Sequence, residues 1–198
     1  MKKKVKLFST IASLCLAVAL MAFGVWAAAG AAKFATNSTV SFKATTAVFG
    51  TFEAKVDLNG TAKHTITATK ENVNGGDWAV TAGKVEKTAL MGDGAVLGAD
   101  LVLTNTGDKY TFTYSFENTS PYAINYKVTT DLAASVKQVG NAGQDAITVV
   151  DVDNKAGTIA KDAKETWVVT VELKSLDLAK NEDLKVNFVV NLDKDAIA

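Results

Sequence analysis

The chain has 198 residues, with 21 basic side chains against 21 acidic ones, and every basic residue is Lys. With no Arg forks and no basic patch, nucleic acid is excluded as a ligand class. The one Cys, Cys15, lies inside an apolar N-terminal run, so loss of that run leaves no disulfide and stability must come from a packed core.

That run reads as an export signal. Met1 to Lys6 is positively charged, Leu7 to Val25 is apolar, and Trp26, Ala27, Ala28 and Ala29 begin the small-residue stretch that signal peptidases cut. Residues 1–29 therefore read as a signal peptide, with cleavage near 27–32, and residues 30–198 as one domain. A retained transmembrane helix is the alternative, since 7–32 is long enough to span a bilayer, but no basic stop-transfer cluster follows. Leu14 precedes Cys15 where a lipoprotein signal needs a small residue, so Cys15 reads as a plain hydrophobe. The mature chain keeps 17 Lys against 21 acids, a net charge of −4. No apolar tail or sorting sequence stands at the C-terminus, so the expectation is release rather than anchoring.

Along the mature chain the apolar residues alternate with polar ones, the period of half-buried strands. Val40, Phe42 and Ala44 share one face of a segment over 39–48. Phe52, Ala54, Val56 and Leu58 share one face of the next, and Ile66 and Ala68 with His64 one face of its return. Between these, Asn59-Gly60 predicts a type I′ hairpin turn, because both residues tolerate positive φ. Residues 72–99 are glycine-rich and predict a loop-rich insertion with short strands and one helical turn at 85–91. Trp78 lies in it beside Gly-Gly-Asp. The strongest alternation follows: Tyr110, Phe112, Tyr114 and Phe116, then, after Asn118-Thr-Ser-Pro121, Ile124, Tyr126 and Val128. This pair predicts a second hairpin with an apolar face. Further strands are predicted at 99–104, 146–152, 166–173 and 183–192. Eight to ten strands separated by turn signals, with little helix, predict an all-β antiparallel sandwich or jelly roll.

Two stretches carry a resemblance. The Lys-rich start, long apolar run and Gly24-Val25-Trp26-Ala27-Ala28, together with Tyr114-Ser-Phe-Glu-Asn-Thr-Ser-Pro-Tyr-Ala-Ile124, resemble the TasA/camelysin family of Gram-positive surface and biofilm-matrix proteins. The resemblance implies processing by a dedicated signal peptidase of the SipW type and a place in the matrix or on the cell surface.

Site chemistry is sparse. Asp151-Val-Asp153-Asn154 opens like an EF-hand loop, but Lys155 stands at position five and Gly157 at seven, so the pattern fails and a carboxylate-rich turn is the simpler reading. Asp93, Asp100 and Asp108 would join a calcium site only if the fold gathered them. His64 is the sole imidazole, no Gly-x-Ser-x-Gly elbow exists, and Cys/His zinc sets are unavailable in the mature chain. Trp167, in phase with Val169 and Val171, reads as core. Asn37-Ser-Thr39 and Asn118-Thr-Ser120 fit glycosylation acceptors without weight in a bacterial chain.

The sequence thus predicts a secreted, non-enzymatic structural protein of the surface or matrix, with no cofactor and no metal, whose partners are copies of itself or other matrix proteins. Strand addition by Val40, Phe42 and Ala44 of the N-terminal segment is the expected route, and removal of residues 31–48 is expected to leave a folded monomer. A binding module for a glycan or other surface ligand, with Trp78 as contacting aromatic, is the alternative.

Overall fold

The computed structural model describes residues 34–35, 38–72, 77–82, 95–97, 102–131, 147–174 and 186–197. The chain divides into two compact units at Ala32/Lys33, and the segment expected to be an export signal lies outside the described residues, as do the helical turn expected at 85–91 and the loop expected at 140–143. Thirteen strands are described: β1 (Phe34–Ala35), β2 (Ser38–Ala44), β3 (Gly50–Leu58), β4 (Thr61–Lys70), β5 (Ala79–Ala82), β6 (Ala95–Leu97), β7 (Val102–Leu103), β8 (Lys109–Asn118), β9 (Ile124–Asp131), β10 (Ile147–Val150), β11 (Ala156–Ile159), β12 (Lys164–Leu173) and β13 (Asn187–Asp193).

They form a sandwich of a six-stranded sheet, β10-β12-β8-β3-β4-β5, and a five-stranded sheet, β11-β9-β13-β2-β6, with β1 and β7 paired apart. Every pairing is antiparallel except that of β2 with β13. The alternation read from sequence is the burial alternation of the strands: Phe52, Ala54 and Val56 of β3, Tyr110, Phe112, Tyr114 and Phe116 of β8, and Phe188, Val190 and Leu192 of β13 all face inward. Aromatic rings join the layers. Phe42 of β2 stacks on Phe52 of β3 at 4.7 Å, Tyr114 of β8 on Phe188 of β13 at 3.7 Å, and Tyr126 of β9 meets Trp167 of β12 edge-on at 5.1 Å. Such pairs add to the burial of their large apolar area. Trp167 is core, only 2% exposed. Burial drives the Tyr114 hydroxyl well above its ordinary pKa, and this hydroxyl has no hydrogen-bond partner among the described residues.

Asn59 and Gly60 turn β3 into β4 with φ of 52° and 77°, the geometry their sequence predicts. β4 then carries a bulge, since Val56 faces His64 while Asp57 faces Ala62. The second expected hairpin is not one. β8 and β9 are not neighbours: β8 lies in the six-stranded sheet and β9 in the other, so 119–123 is a corner that changes layers. Alternation is the same for a strand that returns beside its predecessor and for one that crosses above it, so local pattern cannot separate the two.

Residues 147–159 also change layers, with β10 on β12 and β11 on β9. In β11, Gly157 lies opposite Tyr126, whose ring covers it so closely that a Cβ would stand 2.8 Å from the hydroxyl. At Gly50, which opens β3 beside the end of β8, a Cβ would fall 2.2 Å from the Glu117 carbonyl oxygen and 2.5 Å from the Phe116 ring. Backbone cannot retreat as a flexible side chain can, so Gly50→Ala is expected to cost about 2–3 kcal/mol in urea unfolding. An unchanged midpoint would show that β3 and β8 are not packed this tightly.

Candidate assembly site

β2 places Val40 and Phe42 wholly inside the sandwich and Ala44, half-buried, at the strand's end. One edge of β2 runs parallel to β13 over Thr39–Ala44, and the other meets β6 over Ser38–Val40. The strand singled out for assembly is thus built into its own domain, between two partners. Thr39 Oγ1 donates to Asn187 Oδ1 at 2.5 Å, and Thr45 N–H donates to the Leu192 carbonyl at 3.2 Å. A cleft of about 440 Å3 opens where β2 and β13 end, lined by Lys43, Thr45, Asn191 and Asp193 among others.

Trp78 belongs to this neighbourhood. Its ring packs edge-on against Phe42 at 4.9 Å and tilts over Phe116 at 6.5 Å, leaving it half-exposed. The aromatic expected to contact a ligand rests on the first long strand.

The chain then crosses from β2 to β3 through Thr45–Phe49, a segment whose control was not visible in sequence. Val48 N–H donates to the Thr45 carbonyl at 3.1 Å, closing a turn, and the Val48 side chain is fully buried. Lys70, 8% exposed, donates from Nζ to the Thr46 carbonyl at 2.9 Å and sits 5.0 Å from the Phe49 ring centre. The Tyr122 hydroxyl donates to the Ala47 carbonyl. Ser120 Oγ accepts from Phe49 N–H at 2.9 Å and reaches its carbonyl at 3.2 Å. The fully buried Asn118 fixes this corner. Its Nδ2 donates to the carbonyls of Tyr122, Ile159 and Ala160 at 2.9, 3.0 and 3.1 Å, and its Oδ1 accepts from Ser120 N–H at 2.9 Å. Asn118 is therefore a structural hub, inaccessible to the glycosylation its sequence context fits. The signal available in sequence was Lys70, a charge in phase with inward-facing Ile66 and Ala68.

The other candidates have local roles. Asp151 accepts from Thr130 Oγ1 at 3.0 Å, from Val152 N–H at 2.8 Å and from the Lys155 ammonium, pinning the layer change between β10 and β11. Burial alone would raise its carboxyl; Lys155, Val152 N–H and Thr130 outweigh that and hold it below the ordinary value. Asp108 behaves likewise. Burial would raise it, but Thr104 N–H, the Asn59 amide and Asn105 N–H lower it, tying the turn at 104–108 to the β3–β4 hairpin. No cluster of three metal-ligating side chains occurs among the described residues, and Asp93 and Asp100 lie outside them. His64 is half-exposed on β4 opposite Val56. The expected signal-peptidase region, Trp26 to Ala29, also lies outside the described residues. Among the described residues no helix is long and apolar enough to cross a membrane.

No protein-family model and no curated protein matches the chain. Among solved structures, a PapD-like domain of human CEP192 aligns at 13% identity over 48% of this chain and 78% of that one, with a TM-score of 0.24. A mutant of the major pilin of Streptococcus pyogenes aligns at 13% identity over 81% of this chain and 48% of that one, with a TM-score of 0.23. A second major pilin of that species aligns at 6% identity over 80% and 96%, with a TM-score of 0.18. Overlaps this loose carry nothing about function from those proteins to this one.

Replacing Asn118 by Ala takes the acceptor from the buried Ser120 N–H and the side-chain donor from the Tyr122, Ile159 and Ala160 carbonyls, the last of which keeps Ala163 N–H at 3.1 Å, and is expected to cost about 2–4 kcal/mol in thermal or urea unfolding. Asp108 and Asp151 are both held low in the folded state, so their contribution is present above the unfolded value of about 3.9 and is lost as pH falls through the folded values. The stability gap between the native chain and Asp108→Asn should be widest near neutral pH and shrink below about pH 4. Urea unfolding at stepped pH measures it, and a gap independent of pH would refute the role given to the carboxylate.

Proposed function

We propose that this chain is a secreted, non-enzymatic building block of a cell surface or extracellular matrix, and that it self-associates by exchange of β2. In that exchange, β2 of one copy fills the place between β13 and β6 of the next. The observation that carries the reading is the position of β2: an N-terminal strand, joined in parallel to the last strand, whose Val40 and Phe42 fill a slot that an identical strand would fill equally well. The export signal and the resemblance to matrix proteins at 24–28 and 114–124 support the location.

The position of β2 also corrects the expectation that removing 31–48 leaves a folded monomer. Val40, Phe42 and Val48 are core, and their loss would open a groove against Phe52. A crosslink is the better test. Ser41 and Val189 are register partners on β2 and β13, and neighbouring strands lie within disulfide reach. Oxidising the mature Ser41→Cys/Val189→Cys chain at high concentration should give disulfide-linked ladders on non-reducing gels. Dilution should favour internally linked monomer. Monomer alone at every concentration, with the native chain monomeric by light scattering, would overturn the reading.

A further inference from the structure

We propose that Lys70, Ser120 and Tyr122 form a latch on the Thr45–Phe49 crossover, and that this latch sets how readily β2 leaves its own domain for a neighbouring copy. The inference rests on the strand-exchange reading and names what regulates it.

Exchange of an element between identical copies leaves most of its contacts unchanged in kind. When β2 enters a neighbour, Phe42 meets an identical Phe52, Thr39 an identical Asn187 and Thr45 an identical Leu192 carbonyl. Those contacts set the barrier to leaving and cancel in the balance between closed and exchanged forms. What does not cancel is the hinge. In the closed form β2 folds back over β3, Phe42 on Phe52, through the turn that Val48 N–H closes onto the Thr45 carbonyl. An exchanged strand needs that turn opened and the crossover extended. Lys70 Nζ on the Thr46 carbonyl, Tyr122 OH on the Ala47 carbonyl, and Ser120 on Phe49 grip the backbone of the bent form. They come from the end of β4 and from the β8–β9 corner, both outside the moving strand. Opening the hinge breaks these contacts without an equivalent in the neighbour, so they bias the equilibrium toward the closed form. Lys70 is the most exacting member, because its stem is buried and its ammonium finds its acceptor in the bent crossover.

The test uses the mature chain carrying Lys70→Met and Tyr122→Phe, which keep stem and ring in place and remove the donors. A control, Thr51→Val, removes the 3.2 Å contact between Thr51 and Thr69 hydroxyls on the outer face of the other sheet. Hydrogen exchange at low concentration is read at the amides of residues 41–44 and of β8, and light scattering follows association as concentration rises. The double variant should exchange at 41–44 about tenfold or more faster than the native chain, with β8 unchanged, and should associate at correspondingly lower concentration. No acceleration beyond that of Thr51→Val, or acceleration shared equally by β8, overturns the latch. Faster opening at 41–44 with monomer at every concentration supports the latch and sinks strand exchange instead, so the two failures are distinguishable.

Discussion

Three crossings between the layers of this sandwich meet around one buried amide. Asn118 ends β8, and its Nδ2 bridges carbonyls on the β8–β9 crossing at Tyr122 and on the β11–β12 crossing at Ile159 and Ala160. Its backbone completes the join, donating to the Ala163 carbonyl and accepting from Asp162 N–H, both at 2.9 Å. Two residues on, Ser120 holds the third crossing at Phe49. Crossings of this kind leave the ladder, so their polar backbone groups need other partners, and burial makes each unpaired one costly. An asparagine serves because one side chain offers two donors and an acceptor in a rigid plane. Removing the hub would loosen three segments together, which is why the layers depend on it more than on any one ring pair.

The residue types that built the sheets were legible because period two is a local property. Phe52, Ala54 and Val56, or Trp167, Val169 and Val171, declare an inward face whatever strand lies beside them. Asn59-Gly60 declared its turn for the same reason. The step from Phe116 to Ile124 reads as a hairpin in sequence because a corner and a hairpin use the same vocabulary, Asn, Ser and Pro, and differ only in what the next strand packs against. At Asp151 the sequence reads as a carboxylate-rich turn without naming the carboxylate's partners, which the fold sets: Thr130 and Lys155 take its oxygens. Trp78 illustrates the same limit, since its glycine-rich setting does not reveal that Phe42 lies within stacking distance. The latch was least legible of all, being made of three side chains that hold backbone atoms far away in sequence.

These tertiary polar contacts divide into two kinds. Those at Asp108 and Asp151 fasten local turns and add a dependence on acid. Those of Asn118 with Ile159 and Ala160, and those of Ser120, Tyr122 and Lys70, act on backbone carbonyls remote in sequence and decide which path the chain takes between layers. The aromatic stacks supply cohesion without direction, because a ring against a ring is satisfied by any copy of its partner.

The parallel pairing of the first long strand with the last has a consequence for the order of events in the life of the chain. Thr39 and its partner Asn187 are separated by 148 positions. A ribosome or a translocation channel delivers a chain from its N-terminus, so β2 emerges long before β13 exists to receive it. The loop to be closed is nearly the whole domain, and closure on that scale is slow compared with the folding of the β3–β4 hairpin. For that interval β2 is an unpaired strand with Val40 and Phe42 uncovered, and in a crowded line of emerging copies the nearest completed β13 belongs to an older neighbour.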